Sequence, residues 1–281
     1  MKTVKIYSHA HYGDIFYSRI LINALSPHFN IEYYHSQSGL VLNDLPNVLE
    51  FNHLPSEFNR YANDNRNGLI NAWIGHSEGY LNNGQGCNFN NHFKLVQKVC
   101  DDLQINIGNP LDYLPYVNYN NLISVPNIKE KMDAYKTKFD RIVLFCDGNV
   151  RSGQSVNFDF NSIISSLAEK YKNYLFLSTN NNFNSDNTMS LNPHITNSSP
   201  DLLEISYVSK FCDVIIGRAS GPFCYTHTLD NFYDTQKTFI SFTHIKHEGV
   251  FLEEAKCRNI WSNNFDMESI FKTIDDNLMN L

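Results

Sequence analysis

Short apolar runs alternate with longer amphipathic stretches along most of the chain. Near the amino terminus, "VKIYSHA" (4–10) and "IEYYHS" (31–36) predict strands. Between them, "DIFYSRILINALSPHF" (14–29) predicts a helix, because its apolar residues recur at helical spacing. The chain therefore opens with a strand, turn, helix and strand, the order typical of a parallel sheet covered by helices.

The hydrophobic pattern is weaker further along the amino-terminal half. "LINAWIG" (69–75) predicts a strand, and "HFKLVQKVCDDL" (92–103) predicts a helix. The segment 106–127 contains three prolines and many asparagines with little periodicity, which is typical of a linker. We therefore predict two domains, 1–127 and 128–281.

The carboxyl-terminal half has a clearer alternation of strands and helices. Strands are predicted over 141–148, 174–179, 213–218, 237–243 and 259–263, and helices over 129–139, 157–173, 199–211, 249–257 and from 266 onward. We expect an α/β protein with two Rossmann-like, doubly wound domains that face a central cleft.

Composition narrows the class of protein. The 281 residues are 42% hydrophobic and 18% charged, which is typical of a folded globular protein. No window approaches the run of about 18 apolar residues that a membrane helix needs. The amino-terminal stretch lacks the apolar core of a signal peptide, so we expect a cytoplasmic protein.

Charge and cysteine usage exclude further classes. A formal net charge of −7 opposes general nucleic-acid binding, which relies on a basic surface. The six cysteines form no CxxC pair and no zinc-type spacing with histidine, so we expect reduced thiols and no metal site.

Candidate chemistry lies in loops that follow predicted strands, because doubly wound sheets bind ligands beyond the carboxyl ends of their strands. In "HAHYGDIF" (9–16), Gly13 allows a tight turn and Asp14 begins the next helix. One interpretation of Asp14 is a helix-capping residue. The other is a catalytic carboxylate.

A second strand-end loop, "CDGNVRSGQS" (146–155), contains Arg151, Ser152 and Gly153. Such a loop can offer backbone N–H groups and a guanidinium to a phosphate, and the following helix dipole adds to the attraction. A flexible surface turn would use the same residue types.

A third loop follows the apolar run 213–218. Arg218 offers a bidentate donor fork for phosphate, and Ser220 and Gly221 add a hydroxyl and an N–H group. Pro222 suits the first turn of a helix. The structural alternative is a surface arginine that closes an ordinary strand-to-helix turn.

Taken in order, these segments resemble the heptosyltransferase family of GT-B glycosyltransferases. "KIYSHAHYGDIFYSRILINAL" is similar to the family's first strand, Gly-Asp turn and helix, and "SSPDLLEISYVSKFCDVIIGRASGPFCYTHT" to its carboxy-terminal signature. "RIVLFCDGNVRSGQS" falls where the family binds donor phosphate in its second domain. The resemblance implies transfer of a sugar from a nucleotide sugar to a hydroxyl of a bacterial glycan or lipid-linked glycan, with inversion, and with no essential metal or other cofactor.

The resemblance also implies roles for particular residues. Asp14 matches the aspartate that acts as general base on the acceptor hydroxyl. Ser220 and Gly221 match positions that contact the donor diphosphate, and Glu204 lies where it would approach the nucleoside ribose.

Three features depart from the family's pattern. Arg218-Ala219 stands where members often carry Asn-Asp, and Cys224 stands where histidine is common. The Lys/Trp-Pro element of the phosphate loop is absent, which makes Arg151 its nearest substitute. The identity of the donor sugar therefore stays open.

Two further interpretations stay open. The same fold can host a nucleotide-sugar hydrolase or epimerase, or a non-catalytic protein that binds a nucleotide or glycan. The aromatic-rich segment 113–126 is a candidate for peripheral contact with the inner face of a membrane, and ordinary packing is the alternative.

Overall fold

The computed structural model describes residues 1–59, 63–73, 89–151, 153–181, 183, 185–244, 252 and 254–280. The chain forms two compact units, Met1–Asn121 and Leu122–Leu281. The boundary predicted after residue 127 lies within a helix of the second unit, Val125–Lys138. This helix begins in the proline-containing stretch because Pro126 occupies its first turn, where the missing N–H is tolerated.

The first unit contains a parallel sheet whose described strands lie in the order β3-β2-β1-β4. Its elements are β1 (Thr3–Ser8), α1 (Tyr12–Leu25), β2 (Asn30–His35), β3 (Val48–Phe51), β4 (Leu69–Asn71) and α2 (Phe89–Leu103), with 3-10 turns at Asn65–Asn67, Pro110–Tyr113 and Tyr119–Asn121. β1 lies between β2 and β4, and α1 and α2 pack against each other.

The second unit contains a parallel sheet whose described strands lie in the order β10-β9-β8-β5-β6-β7. Its elements are α3 (Val125–Lys138), β5 (Arg141–Cys146), α4 (Asn161–Lys170), β6 (Tyr174–Ser178), β7 (Thr188–Ser190), α5 (Leu191–His194), α6 (Leu202–Ser209), β8 (Val214–Arg218), α7 (Gly221–Cys224), α8 (Leu229–Tyr233), β9 (Thr238–Phe242), β10 (Arg258–Ser262) and α9 (Met267–Leu278).

The central strands of the second sheet are buried at successive positions. Every residue of β8 and β9 is buried, as is all of β5 after Arg141. Parallel strands covered on both faces need such continuous apolar runs, which is why these strands were predictable. One apolar cluster joins β5, β6, β8 and β9 to α4 and α9, and it includes the fully buried Phe145 and Phe176.

The two parallel sheets confirm the predicted α/β class. The expected helix over 249–257 is wrong for the part that the structure describes, because residues 254–257 form a turn and irregular chain before β10. Residues 74 and 75 of the expected strand 69–75 lie outside the described residues. β3 and β7, which have four and three residues, were not predicted. No described helix has both the length and the apolar character needed to cross a membrane.

On β8, the side chain of Phe223 lies close to the backbone at Gly217. A Cβ at Gly217 would lie 2.5 Å from Cδ2 of Phe223 and 3.0 Å from Cβ of Cys146. Both neighbours are fully buried or nearly so, which leaves little room for relaxation. Glycine at this position therefore lets α7 pack directly on the strand.

We expect Gly217→Ala to lower the free energy of unfolding by about 1–3 kcal/mol, because the added methyl overpacks this contact. Urea denaturation measures the loss. Gly108→Ala is the matched control, since its Cβ would meet Asp112 at an ordinary 3.6 Å. Equal stability of the two variants would contradict the tight contact.

A buried ion pair holds the connection after β2 in the first unit. Arg19 on α1 donates from Nη1 and Nη2 to the two carboxylate oxygens of Asp44, at 2.9 and 2.6 Å, and both side chains are fully buried. The same guanidinium donates to the carbonyls of Val41 and Tyr116. Asp44 Oδ2 accepts from the N–H of Asn118 at 2.9 Å. Two distant segments are thereby fixed to α1.

We expect Arg19→Met to lower the free energy of unfolding by about 3–5 kcal/mol, because it leaves the Asp44 carboxylate buried without its counter-charge. The double variant Arg19→Met/Asp44→Leu should recover most of that loss, since no charge stays buried. Chemical denaturation of both variants checks this. A double variant no more stable than the single one would contradict the explanation.

Candidate functional site

In each sheet, the chain order of neighbouring strands changes direction at one position, which is called the switch point. In the first sheet the reversal lies between β1 and β4, and in the second between β5 and β8. Ligands of doubly wound sheets bind outside the carboxyl ends of strands at such switch points. The three loops singled out in the sequence follow β1, β5 and β8, so each leaves its sheet at a switch point.

Arg218, the last residue of β8, is buried with 1% of its surface exposed. Its Nη1 donates to the carbonyl of Phe158 at 2.8 Å, and its Nη2 donates to the carbonyl of Asp147. Its guanidinium carbon lies 5.0 Å from the ring centroids of both Phe158 and Phe160. Burial lowers the pKa of Arg218. The expectation of a guanidinium presented to a phosphate is therefore corrected: Arg218 is buried and joins the end of β8 to two carbonyl groups in the connection after β5.

Ser220, Gly221 and Pro222 begin α7 directly after that strand. Ser220 is the N-cap residue, and its carbonyl accepts from the N–H of Cys224 at 2.9 Å. Its Oγ is buried and has no hydrogen-bond partner among the described residues. A buried hydroxyl in this state costs free energy unless water or a ligand satisfies it. Gly148 packs against Pro222, since a Cβ there would lie 3.5 Å from the proline ring.

The loop after β5 is anchored on both sides of Arg151. The side chain of Asn157 bonds both backbone groups of Val150. Its Oδ1 accepts from the Val150 N–H at 2.9 Å, and its Nδ2 donates to the Val150 carbonyl at 3.0 Å. Gln154 donates from Nε2 to the carbonyl of Ala219 at 3.0 Å. Arg151 itself is exposed and makes no hydrogen bond or ion pair with the described residues.

Gly153 lies next to that arginine on the same loop. Its φ of +73° is left-handed, a conformation that glycine adopts without strain. Ser152, the other predicted phosphate contact here, lies outside the described residues. The structure thus presents Arg151 at the surface of an anchored turn.

Asp147 is a buried carboxylate that the sequence analysis did not single out. It follows β5, is 4% exposed, and accepts from Ser178 Oγ and Thr179 Oγ1 at 2.8 Å each, and from Asn181 Nδ2. Burial raises its pKa, and these hydrogen bonds oppose that effect only in part. The signal in the sequence was an aspartate directly after a buried strand, beside a strand that ends in Ser-Thr.

Glu204 lies on α6 and is 5% exposed. Its Oε2 accepts from the backbone N–H groups of Asn197 and Ser198 at 2.8 and 3.1 Å. The carboxylate therefore holds the chain before α6 in place. Its contact with a ribose stays a prediction.

In the first unit, Gly13 and Asp14 lie in the first turn of α1 and are half-buried. Asp14 Oδ2 accepts from the N–H of His11 at 3.2 Å, as expected for a residue that caps the helix. Ser18, one turn later, donates to the Asp14 carbonyl at 2.7 Å and also bonds the hydroxyl of Tyr33. Burial is the largest cause that raises the pKa of Tyr33, and the nearby Asp14 charge adds to it.

The connection after β2 is fixed beside the Asp14 turn. The hydroxyl of Tyr12 bonds Ser38, and Gln37 donates to the carbonyl of Ala10 at 3.0 Å. Glu50 accepts from His35 Nε2 at 2.9 Å and from the N–H of Val41 at 2.7 Å. The turn that carries Asp14 therefore has an ordered neighbour on the same edge of the sheet.

No group of three His, Cys, Asp or Glu side chains within the described part of the chain is arranged to hold a metal ion. The cysteines that the structure describes are buried free thiols. These are Cys100, Cys146, Cys212, Cys224 and Cys257.

Comparison with known proteins gives matches in structure and none in sequence. No protein-family model matches the chain, and no curated protein matches its sequence. A glycosyl transferase family 9 protein from Veillonella parvula DSM 2008 has a TM-score of 0.59 at 11% identity, and the alignment covers 98% of this chain and 91% of that one.

Two E. coli enzymes match over a similar length. ADP-heptose LPS heptosyltransferase II has a TM-score of 0.57 at 12% identity, with 100% of this chain and 99% of that chain covered. Heptosyltransferase WaaC, solved with ADP, has a TM-score of 0.55 at 9% identity, with 98% and 99% covered. Over almost its entire length, this chain therefore has the Rossmann-like α/β fold of these sugar transferases.

Proposed function

We propose that this chain is a glycosyltransferase that moves a sugar from a nucleotide-activated donor to a hydroxyl of a glycan or lipid-linked glycan acceptor. The observation that carries the proposal is the full-length likeness of its fold to sugar transferases, one of them solved with ADP. A Ser-Gly-Pro turn at the switch point of the second sheet supports it.

The second unit is the proposed binding site for the donor. Departure of a nucleoside diphosphate needs positive charge or N–H groups at the developing anion. Arg151 is exposed beside the switch point. The next connection offers the Gly221 N–H and the Ser220 hydroxyl, which has no hydrogen-bond partner among the described residues. We propose that Ser152, Gly153 and Pro222 belong to the same donor-binding site and that Glu204 contacts the ribose of the donor nucleotide. Arg218 acts as a positioning residue.

Asp14 is the proposed general base. An acceptor hydroxyl becomes nucleophilic when a carboxylate within hydrogen-bond reach takes its proton. Asp14 is half-buried at the carboxyl end of β1, the place where the first sheet reverses its order. A single base of this kind suits direct displacement with inversion, and we propose that the step needs no metal.

We expect one of ADP, GDP, UDP or CMP to raise the melting temperature by about 5 °C at a concentration of about a hundred times its Kd, with EDTA present. Arg151→Gln should reduce the shift, because it removes the exposed cation beside the diphosphate. The control is Arg258→Gln, which replaces an exposed arginine at the amino end of β10 and should leave the nucleotide-induced shift unchanged. If none of the four nucleotides binds, the proposed function is wrong.

We expect Asp14→Asn to slow sugar transfer by about 10²–10⁴-fold while nucleotide binding is unchanged, because only proton removal is lost. The measurement is product formation from the donor that the wild type uses. Asp112→Asn removes an acidic residue from the first turn of another helix in the same unit and should leave transfer intact. Undiminished transfer by Asp14→Asn would rule out this base.

Incubation of the wild type with the donor alone separates the competing reactions. A transferase leaves most of the donor intact until an acceptor is added. Rapid release of free sugar would identify a hydrolase, and an isomerised donor would identify an epimerase. Bound donor with no turnover in the presence of acceptors would identify a binding protein.

A further inference from the structure

The carboxyl ends of three strands of the second unit are joined at Asp147. Its carboxylate accepts from Ser178, the last residue of β6, and from Thr179 and Asn181 in the connection that follows. Its own carbonyl accepts from Arg218 at the end of β8. Asp147 itself begins the connection after β5 that carries the exposed Arg151. The proposed mechanism leaves this carboxylate without a role.

The hydrogen bonds around Asp147 have a defined direction. An ionised carboxylate only accepts, so the single proton of Ser178 Oγ must point to it. The lone pairs of that hydroxyl are then available to the N–H groups of Asn180 and Asn181, which lie 3.2 and 2.8 Å away. Thr179 Oγ1 likewise donates to Asp147 Oδ1 and accepts from the Asp147 N–H at 3.2 Å. A donor in place of either carboxylate oxygen would reverse the hydroxyl that faces it.

The arrangement lowers the stability of the folded chain. Because burial raises the pKa of Asp147, folding favours its neutral form. The stability from this group is present below the ordinary pKa of aspartate and is lost as the pH rises through the raised pKa. Above the raised pKa, the ionised carboxylate is therefore a cost. Among the described residues, the ionisable groups that interact with it are Cys146 on β5 and Arg218 on β8, and Arg218 in turn interacts with Asp159.

We propose that Asp147 is a positioning residue for the donor nucleotide. It sets the direction of the Ser178 and Thr179 hydroxyl protons and holds the side chain of Asn181, so these three residues are fixed beside the switch point. A costly buried carboxylate at a ligand-binding edge is typical of a group kept for function. The inference rests on the proposed function, because it assumes that the nucleotide binds at this edge.

The test compares Asp147→Asn with the wild type at about pH 7.5, using the nucleotide among ADP, GDP, UDP and CMP that raises the melting temperature of the wild type most. Calorimetry should give an affinity about tenfold weaker for the variant, because the amide cannot accept all three donors. The melting temperature without ligand should be no lower than that of the wild type, because the buried charge is gone. A merely structural role would lower both.

Asp213→Asn is the matched control. Asp213 lies at the opposite edge of the same sheet, where it accepts from the N–H of Ile142 at 2.8 Å and from Arg141 at 3.0 Å. Its substitution should lower the melting temperature and leave nucleotide affinity unchanged.

The outcomes separate the two proposals. If the wild type binds none of ADP, GDP, UDP and CMP, the proposed function fails and the role of Asp147 fails with it. If the wild type binds and Asp147→Asn binds equally well, or loses affinity only together with its melting temperature, the positioning role alone is overturned. Should Asp147→Asn not fold, Ser178→Ala keeps the carboxylate and removes its donor. Unchanged affinity in that variant would also overturn the role.

Discussion

The buried guanidinium of Arg218 is the contact on which the carboxyl edge of the second sheet depends. It ties the carbonyls of Asp147 and Phe158 to the end of β8 and lies close to two phenylalanine rings. Without it, the connections after β5 and β8 would have no charged anchor in common. This contact and the hydrogen bond from Gln154 to the Ala219 carbonyl together place the anchored turn of Arg151 and the Ser220 hydroxyl relative to each other.

Arg218 and Asp147 are charged side chains buried at one edge of the second sheet. Their burial lowers the stability of the fold, and burial of the apolar strands offsets that loss. Arg218 donates to neutral carbonyls, and Asp147 accepts from neutral hydroxyls and an amide, so each charge is solvated by dipoles of the chain. The same edge is therefore costly for folding.

The alternation of apolar runs was sufficient to predict the sheet strands that are buried on both faces. It failed for the short strands β3 and β7 and over residues 254–257, where a helical pattern of apolar residues lies in irregular chain. Gly13, Asp14 and the turn from Ser220 to Pro222 were predicted at strand ends, and they lie there. Periodicity reports which residues are buried, whereas short elements are stabilised by partners distant in sequence.

The sequence by itself determined the α/β class, the order of most elements and the loops in which chemistry was to be sought, because these follow from local periodicity and turn residues. Only the tertiary structure decided what the individual side chains do. Arg218 turns inward because its partners, 60 and 71 residues away, fold over it, and Asp147 becomes a buried acceptor because β6 ends beside β5. Burial and hydrogen bonding depend on neighbours that strand pairing brings together, and no local pattern contains them.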